Sequence, residues 1–113
     1  MSFTTVNLEA GLPTVDTAMR LLQQAVSCKS RRTRVLKIIH GYGSSGTGGR
    51  IKTAVAQNLR ARLAKGEIRA FARGEDFDPF CDAARQIVSA CPALAKDRDY
   101  GRCNHGVTFV LLF

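Results

Sequence analysis

Residues 40–49 read His40-Gly41-Tyr42-Gly43-Ser44-Ser45-Gly46-Thr47-Gly48-Gly49, five glycines in ten residues. So many glycines cost backbone entropy, and the chemistry that repays it is close approach of a ligand to the main chain. Backbone N–H groups ahead of a helix point at whatever lies before them, and the helix dipole favours an anion there. Ser44, Ser45 and Thr47 add hydroxyl donors, and Arg50 and Lys52 add positive charge. The expected ligand of His40, Gly41, Tyr42, Gly43, Ser44, Ser45, Gly46, Thr47, Gly48, Gly49, Arg50 and Lys52 is therefore a phosphate. Gly43 and Gly48 have the spacing of a nucleotide-binding P-loop, but Gly49-Arg50 stands where the Lys-Ser/Thr of its Gly-Lys-Ser/Thr ending would be needed. A dinucleotide fingerprint would follow the first strand, and this loop follows the second.

Three roles are open to His40: phosphate donor, general acid or base, or an imidazole packed against backbone. His105, in the turn Asn104-His105-Gly106, is a similar case. Tyr42 is placed either to stack on an unpaired base or to anchor the loop. Cys28, Cys81, Cys91 and Cys103 form no Cys-x-x-Cys pair, and neither they nor the histidines have metal-ligand spacing. They read as reduced thiols, mostly filling the core, and no metal ligand is expected.

The elements that position the loop follow from hydrophobic spacing. Phe3–Glu9 alternates as a first strand. Thr14 is suited to cap a helix whose apolar face is Val15, Ala18, Met19, Leu22 and Val26. Val35–Ile39 is nearly continuous in apolar residues, as an interior strand is. A second helix is expected from Gly49 or Arg50, with a stripe of Ile51, Val55, Leu59 and Leu63 and a stop at Gly66. Ile68–Ala72 is a third strand. Asp78 and Pro79 suit the start of a third helix, with Phe80, Ala84, Ile87 and Cys91 on one face and Pro92 at its end. Val107–Phe113 is the last strand. Strand, helix, strand, helix, strand at these lengths predicts an α/β domain with crossovers onto one sheet.

The 113 residues suffice for a single domain, 1–113. No signal peptide and no membrane-length apolar run is read, so the expected address is the cytoplasm, with no membrane partner. Net charge is +8 and unevenly spread. Residues 1–73 carry 13 Lys/Arg against 3 Asp/Glu, a balance of +10, and residues 74–113 carry 4 against 6, a balance of −2. A basic body suits a polyanion such as DNA or RNA, and on charge alone it equally suits a small protein kept soluble by its charge. In the segment before the last strand, Gly74-Glu75-Asp76-Phe77 and Asp97–Asn104 either shape a site or partner surface or are a solvated acidic face, the latter being the favoured reading.

The strand Val35-Leu36-Lys37-Ile38-Ile39 ending in His40-Gly41-Tyr42-Gly43, the helix opening Gly49-Arg50-Ile51, and the closing Gly106-Val107-Thr108-Phe109-Val110-Leu111 resemble the small MutS-related (Smr) domain. Leu12–Ala18 resembles the start of that family's first helix, so the likeness runs along nearly the whole chain. It implies a compact two-layer α/β sandwich, a mixed four-stranded sheet with two main helices. To this the chain adds a short helical insert at about 74–104, before the last strand. The resemblance also implies DNA or RNA binding, a ribosome-associated setting in some members, and metal-assisted endonuclease activity. The family's first strand usually ends Leu-Asp-x-His, tied to cleavage, whereas this chain has Val6-Asn7-Leu8-Glu9. Asn7 is no carboxylate, which leaves His40 and Glu9 as candidate catalytic residues, with Mg²⁺ or Mn²⁺ needed only for a nuclease. A nucleic-acid-binding module is thus the leading expectation, with an endonuclease and a protein-interaction domain as alternatives. Exposure of Phe77, Phe80 and Phe113 would mark the last of these.

Overall fold

Alternation along one central strand divides the molecule into two faces. In the computed structural model, residues 2–9, 14–27, 33–41 and 47–113 are described, without the side chains of Ser2, Thr47 and Gly48. Strand β2 (Thr33–Ile39) sends Leu36 and Ile38 to one side and Val35 to the other. It pairs in parallel with β1 (Ser2–Asn7) and antiparallel with β4 (Val107–Leu111). Strand β3 (Ala70–Arg73) pairs antiparallel with the far side of β4. The sheet is therefore mixed and four-stranded, in the order β1-β2-β4-β3, and the last strand in the chain is an interior one.

Helices α1 (Val15–Ser27) and α2 (Thr47–Ala64) cover the first face. Thr14 caps α1 as expected, its Oγ1 accepting from the Thr17 amide at 3.2 Å. Ala18, Leu22 and Val26 of α1 meet Ile51, Val55 and Leu59 of α2 over Leu8, Leu36, Ile38 and Val110. Leu63 departs from the expected stripe and is 42% exposed. At 3.6 residues per turn, a four-residue spacing drifts by about 40° per step, so the fourth member of the stripe rotates out of the core. Helix α2 begins at Thr47, two residues before the earliest expected start. It ends in a Schellman motif: the Gly66 amide donates to Leu63 O, the Glu67 amide to Arg62 O, and Gly66 has φ +75°.

The insert covers the opposite face. A single 3₁₀ turn (Gly74–Asp76), helix α3 (Asp82–Ala90) and a second 3₁₀ turn (Pro92–Lys96) bring Phe77, Ala84, Ile87, Cys91 and Leu94 onto Val35, Phe109 and Leu111. Phe77 stacks on Phe109 with centroids 3.9 Å apart and meets Tyr100 edge-on at 5.1 Å. Helix α3 starts later than expected, with Cys81 at its N-cap. Asp78 instead accepts the Phe80 amide in a local turn, which leaves Phe80 93% exposed rather than on the helix face. With Phe77 in the core, the three phenylalanines form no common surface patch.

Buried charge also falls on this face. Lys37, 8% exposed, points into the insert, where its Nζ lies 3.0 Å from Asp97 Oδ1 and 2.7 Å from Asp99 Oδ2. Asp99 is further held by Asn104 Nδ2 at 2.8 Å. Burial pulls the Lys37 pKa down, but the two carboxylates outweigh it and hold the ammonium above its ordinary value. Burial likewise pushes Asp99 up, and Lys37 and Asn104 bring it below the usual range. The expected solvated face is thus, at Asp97 and Asp99, an internal clasp. A lysine in the middle of an apolar strand needs such partners, because an unpaired buried charge costs several kcal/mol.

Candidate functional site

Strands β1, β2 and β3 all run the same way, so Glu9, His40 and Arg73, at or just past their carboxyl ends, collect at one end of the sheet. Ligands of open α/β sheets bind at such ends. Beside them lie the first turns of α2, which carry Arg50 and Lys52, and the turn from Asp97 to His105.

His40 is completely buried. Its Nδ1 lies 2.6 Å from the Gly41 carbonyl and its Nε2 2.9 Å from Thr108 Oγ1. Desolvation, opposed in part by the Gly41 carbonyl, lowers its pKa and keeps the ring neutral at pH 7. Nδ1–H then donates to Gly41 and Nε2 accepts from the Thr108 hydroxyl. With both nitrogens engaged, His40 acts as a brace between β2 and β4. The His40 and Gly41 amides, both donating to Gly106 O at 3.0 and 3.1 Å, tie the start of the loop to β4 in the same way. Of the three roles open to it, the packed imidazole is the one this geometry provides.

Tyr42, Gly43, Ser44, Ser45 and Gly46 lie outside the described residues. Thr47, Gly48 and Gly49 form the first turn of α2, and Arg50 is exposed. Lys52 turns inward, its Nζ 2.8 Å from Glu75 Oε2. Glu9 is exposed, and its amide donates to Asn7 Oδ1 at 2.9 Å. Its carboxylate acts on His40 as the weakest of three charge effects, after Lys52 and Glu75. Arg34 sits at the other end of β2, where it donates to Phe113 O at 2.8 and 3.0 Å and shares an open cleft with Arg69 and Arg85.

Glu75, which the sequence reading set among the insert's acids, is the hub of the site. Its Oε2 lies 2.8 Å from Lys52 Nζ, 3.3 Å from His105 Nδ1 and 3.9 Å from Arg73 Nη1. Burial pushes the carboxyl up, but Lys52 and Arg73 hold it below its ordinary value, so it is ionised at neutral pH. Gly74 makes this convergence possible. A Cβ there would overlap Asn104 O and come within 2.7 Å of Val107 Cγ2, so only glycine lets the turn press against β4. Of the two histidines, only His105 contacts this carboxylate, and His40 feels it as one of the lesser charge effects on its ring.

Three of the six acids in residues 74–113, Glu75, Asp97 and Asp99, face inward against lysines. Arg98 and Arg102 in the same segment are exposed, and no salt bridge among the described residues involves them or Arg50. This end of the sheet therefore presents more positive surface than the order of charges along the chain suggests. No group of three or more potential ligands for a metal ion is found among the described residues. No helix among them is long and apolar enough to cross a membrane. Compared with known proteins, the chain matches no family model, no curated protein and no solved structure.

Proposed function

We propose that the protein binds nucleic acid at the end of the sheet where β1, β2 and β3 terminate, in the manner of the Smr-like module its motifs resemble. The observation that carries this reading is the separation of charge there. The lysines Lys37 and Lys52 are neutralised inside, while Arg50, Arg98 and Arg102 stay exposed and outside the salt bridges. Arginines outside salt bridges suit phosphate oxygens, which they can grip through two parallel N–H groups. The first turn of α2 lies at the same end, and its amides add anion donors.

The test is fluorescence anisotropy of labelled single-stranded and duplex DNA and RNA, titrated with salt. Log affinity falls linearly with log salt, and each lost phosphate contact lowers the slope by about 0.7 to 0.9. Arg50→Ala, Arg98→Ala and Arg102→Ala combined weaken binding and flatten that slope. Lys52→Ala does less, since Lys52 is committed to Glu75. Affinity indifferent to salt, or unchanged in the triple variant, refutes the reading. The same incubations with Mg²⁺ or Mn²⁺ report cleavage, and strand shortening lost in Glu9→Gln would assign an endonuclease.

A further inference from the structure

The hub carboxylate has a second neighbour chain that nucleic-acid binding does not use. Of the described cysteines, Cys91 is core and Cys81 half-buried, whereas Cys103 is exposed. Its Sγ lies 3.7 Å from His105 Nε2, and His105 Nδ1 lies 3.3 Å from Glu75 Oε2. Nucleophile, base and orienting carboxylate thus stand in the sequence that activated nucleophiles require. Cys103 also has φ +56°, the one non-glycine residue with positive φ among those described. Non-glycine residues held in this way are uncommon and cluster at functional sites. Cys103 and His105 line one open cleft with Arg98, Asp99, Arg102 and Asn104.

We propose that Cys103, His105 and Glu75 form a thiol-nucleophile site that accepts an acyl group from an ester or thioester whose anionic portion is held by Arg98 and Arg102. The Glu75 carboxylate, 3.3 Å from His105 Nδ1, favours the proton on that nitrogen by its charge, which leaves the lone pair on Nε2. The Sγ–H proton passes to Nε2, and the thiolate adds to the acyl carbon. As the Sγ–C bond forms and the bond to the leaving oxygen or sulfur breaks, the imidazolium returns the proton to the leaving group. Water, deprotonated by His105, then hydrolyses the thioester on Cys103 and restores the thiol. Cys103 and His105 are the catalytic residues, and Glu75 is a positioning residue. Gly74, by letting Glu75 reach His105, is what assembles the set. The proposal shares Arg98 and Arg102 with the nucleic-acid reading but is tested apart from it, since neither thiol nor imidazole is needed to grip phosphate.

The test measures carbamidomethylation of the intact protein by iodoacetamide, resolved by peptide mass spectrometry, at about pH 5 to 9. In the same samples, p-nitrophenyl acetate reports acyl transfer. Cys103 reacts roughly tenfold faster than glutathione at neutral pH. His105→Ala brings Cys103 down to the glutathione rate, while the Cys81 rate stays unchanged and so reports an intact fold. Glu75→Gln moves the midpoint of the profile, which a merely structural role would not. An acetyl adduct forms on Cys103 and is lost in Cys103→Ser. Reaction no faster than glutathione, a rate indifferent to His105→Ala, or acetylation elsewhere but not on Cys103 overturns the proposal.

Discussion

The two faces of the sheet are built by different means. Under α1 and α2 the filling is almost wholly aliphatic: Leu22, Val26, Leu36, Ile38, Ile51, Val55 and Leu59. Under the insert, a stacked aromatic pair shares the space with an ammonium and two carboxylates. An aliphatic face is non-directional and tolerates repacking of similar volume. A face with a buried ion cluster is stable only if every member is present, because removing one partner strands the others in a poor solvent. The first face makes a platform, and the second dictates where the irregular turns must lie, and with them Glu75 and His105.

Lys37→Met breaks this comparison most directly. It leaves Asp97 and Asp99 facing each other without a cation and costs about 3–5 kcal/mol by urea denaturation. Adding Asp97→Asn and Asp99→Asn recovers most of that loss. Lack of any recovery would mean that lost packing, rather than stranded charge, dominates. On the helix face Leu59→Ala costs about 2–5 kcal/mol through cavity formation, and no change of charge restores it. Gly74→Ala costs about 1–3 kcal/mol by overpacking against Asn104 and Val107, and it separates Glu75 from His105, which alkylation of Cys103 reads out.

Thr108→Val keeps the shape of the side chain but removes the hydroxyl bonded to His40 Nε2. The orphaned nitrogen costs about 1–3 kcal/mol. The smallest effect is a pH dependence. Below its ordinary pKa of 6.5, His40 is protonated in the unfolded chain while the buried ring stays neutral, so the unfolded state binds more protons. Its contribution is complete above 6.5 and declines as the pH falls, by at most about 1.4 kcal/mol per unit. A second decline follows at lower pH, as Glu75 and Asp99 protonate through their depressed values. Thermal melts of the protein and of His40→Gln separate the first decline from the second.

The difference between the faces also marks what could be read from the chain alone. Repeats of apolar residues give β2, α1 and α2 nearly to their ends, because helices and strands covering an aliphatic face keep a regular period. Capping by Thr14 and Gly66 is local chemistry and reads equally well. Periodicity says nothing of β4 lying between β2 and β3, because strand order rests on contacts between residues distant in the chain. Asp97 and Asp99 look like surface acids until Lys37 is placed opposite them. The clue was there, since a lysine inside Val35-Leu36-Lys37-Ile38-Ile39 cannot be buried without a partner. His40 was placed at the right end of the sheet, but its role depends on Thr108, which no local pattern connects to it. Glu75 and His105 meet only because Gly74 admits a close approach, a fact of packing and not of sequence spacing.

Strand β4 is made last of the four, yet the sheet closes around it. Until residues 107–111 have been synthesised and have docked, β2 presents an open, apolar edge and β3 has no partner strand. Open edges of that composition are templates for pairing between chains. In the unfinished chain Lys37 stands in the middle of this edge with its carboxylates not yet in place. A charge at that position penalises stacking against a second copy and works as a gatekeeper against aggregation. The same ammonium that makes the finished insert face demanding thus shields the nascent strand while it waits for its neighbour.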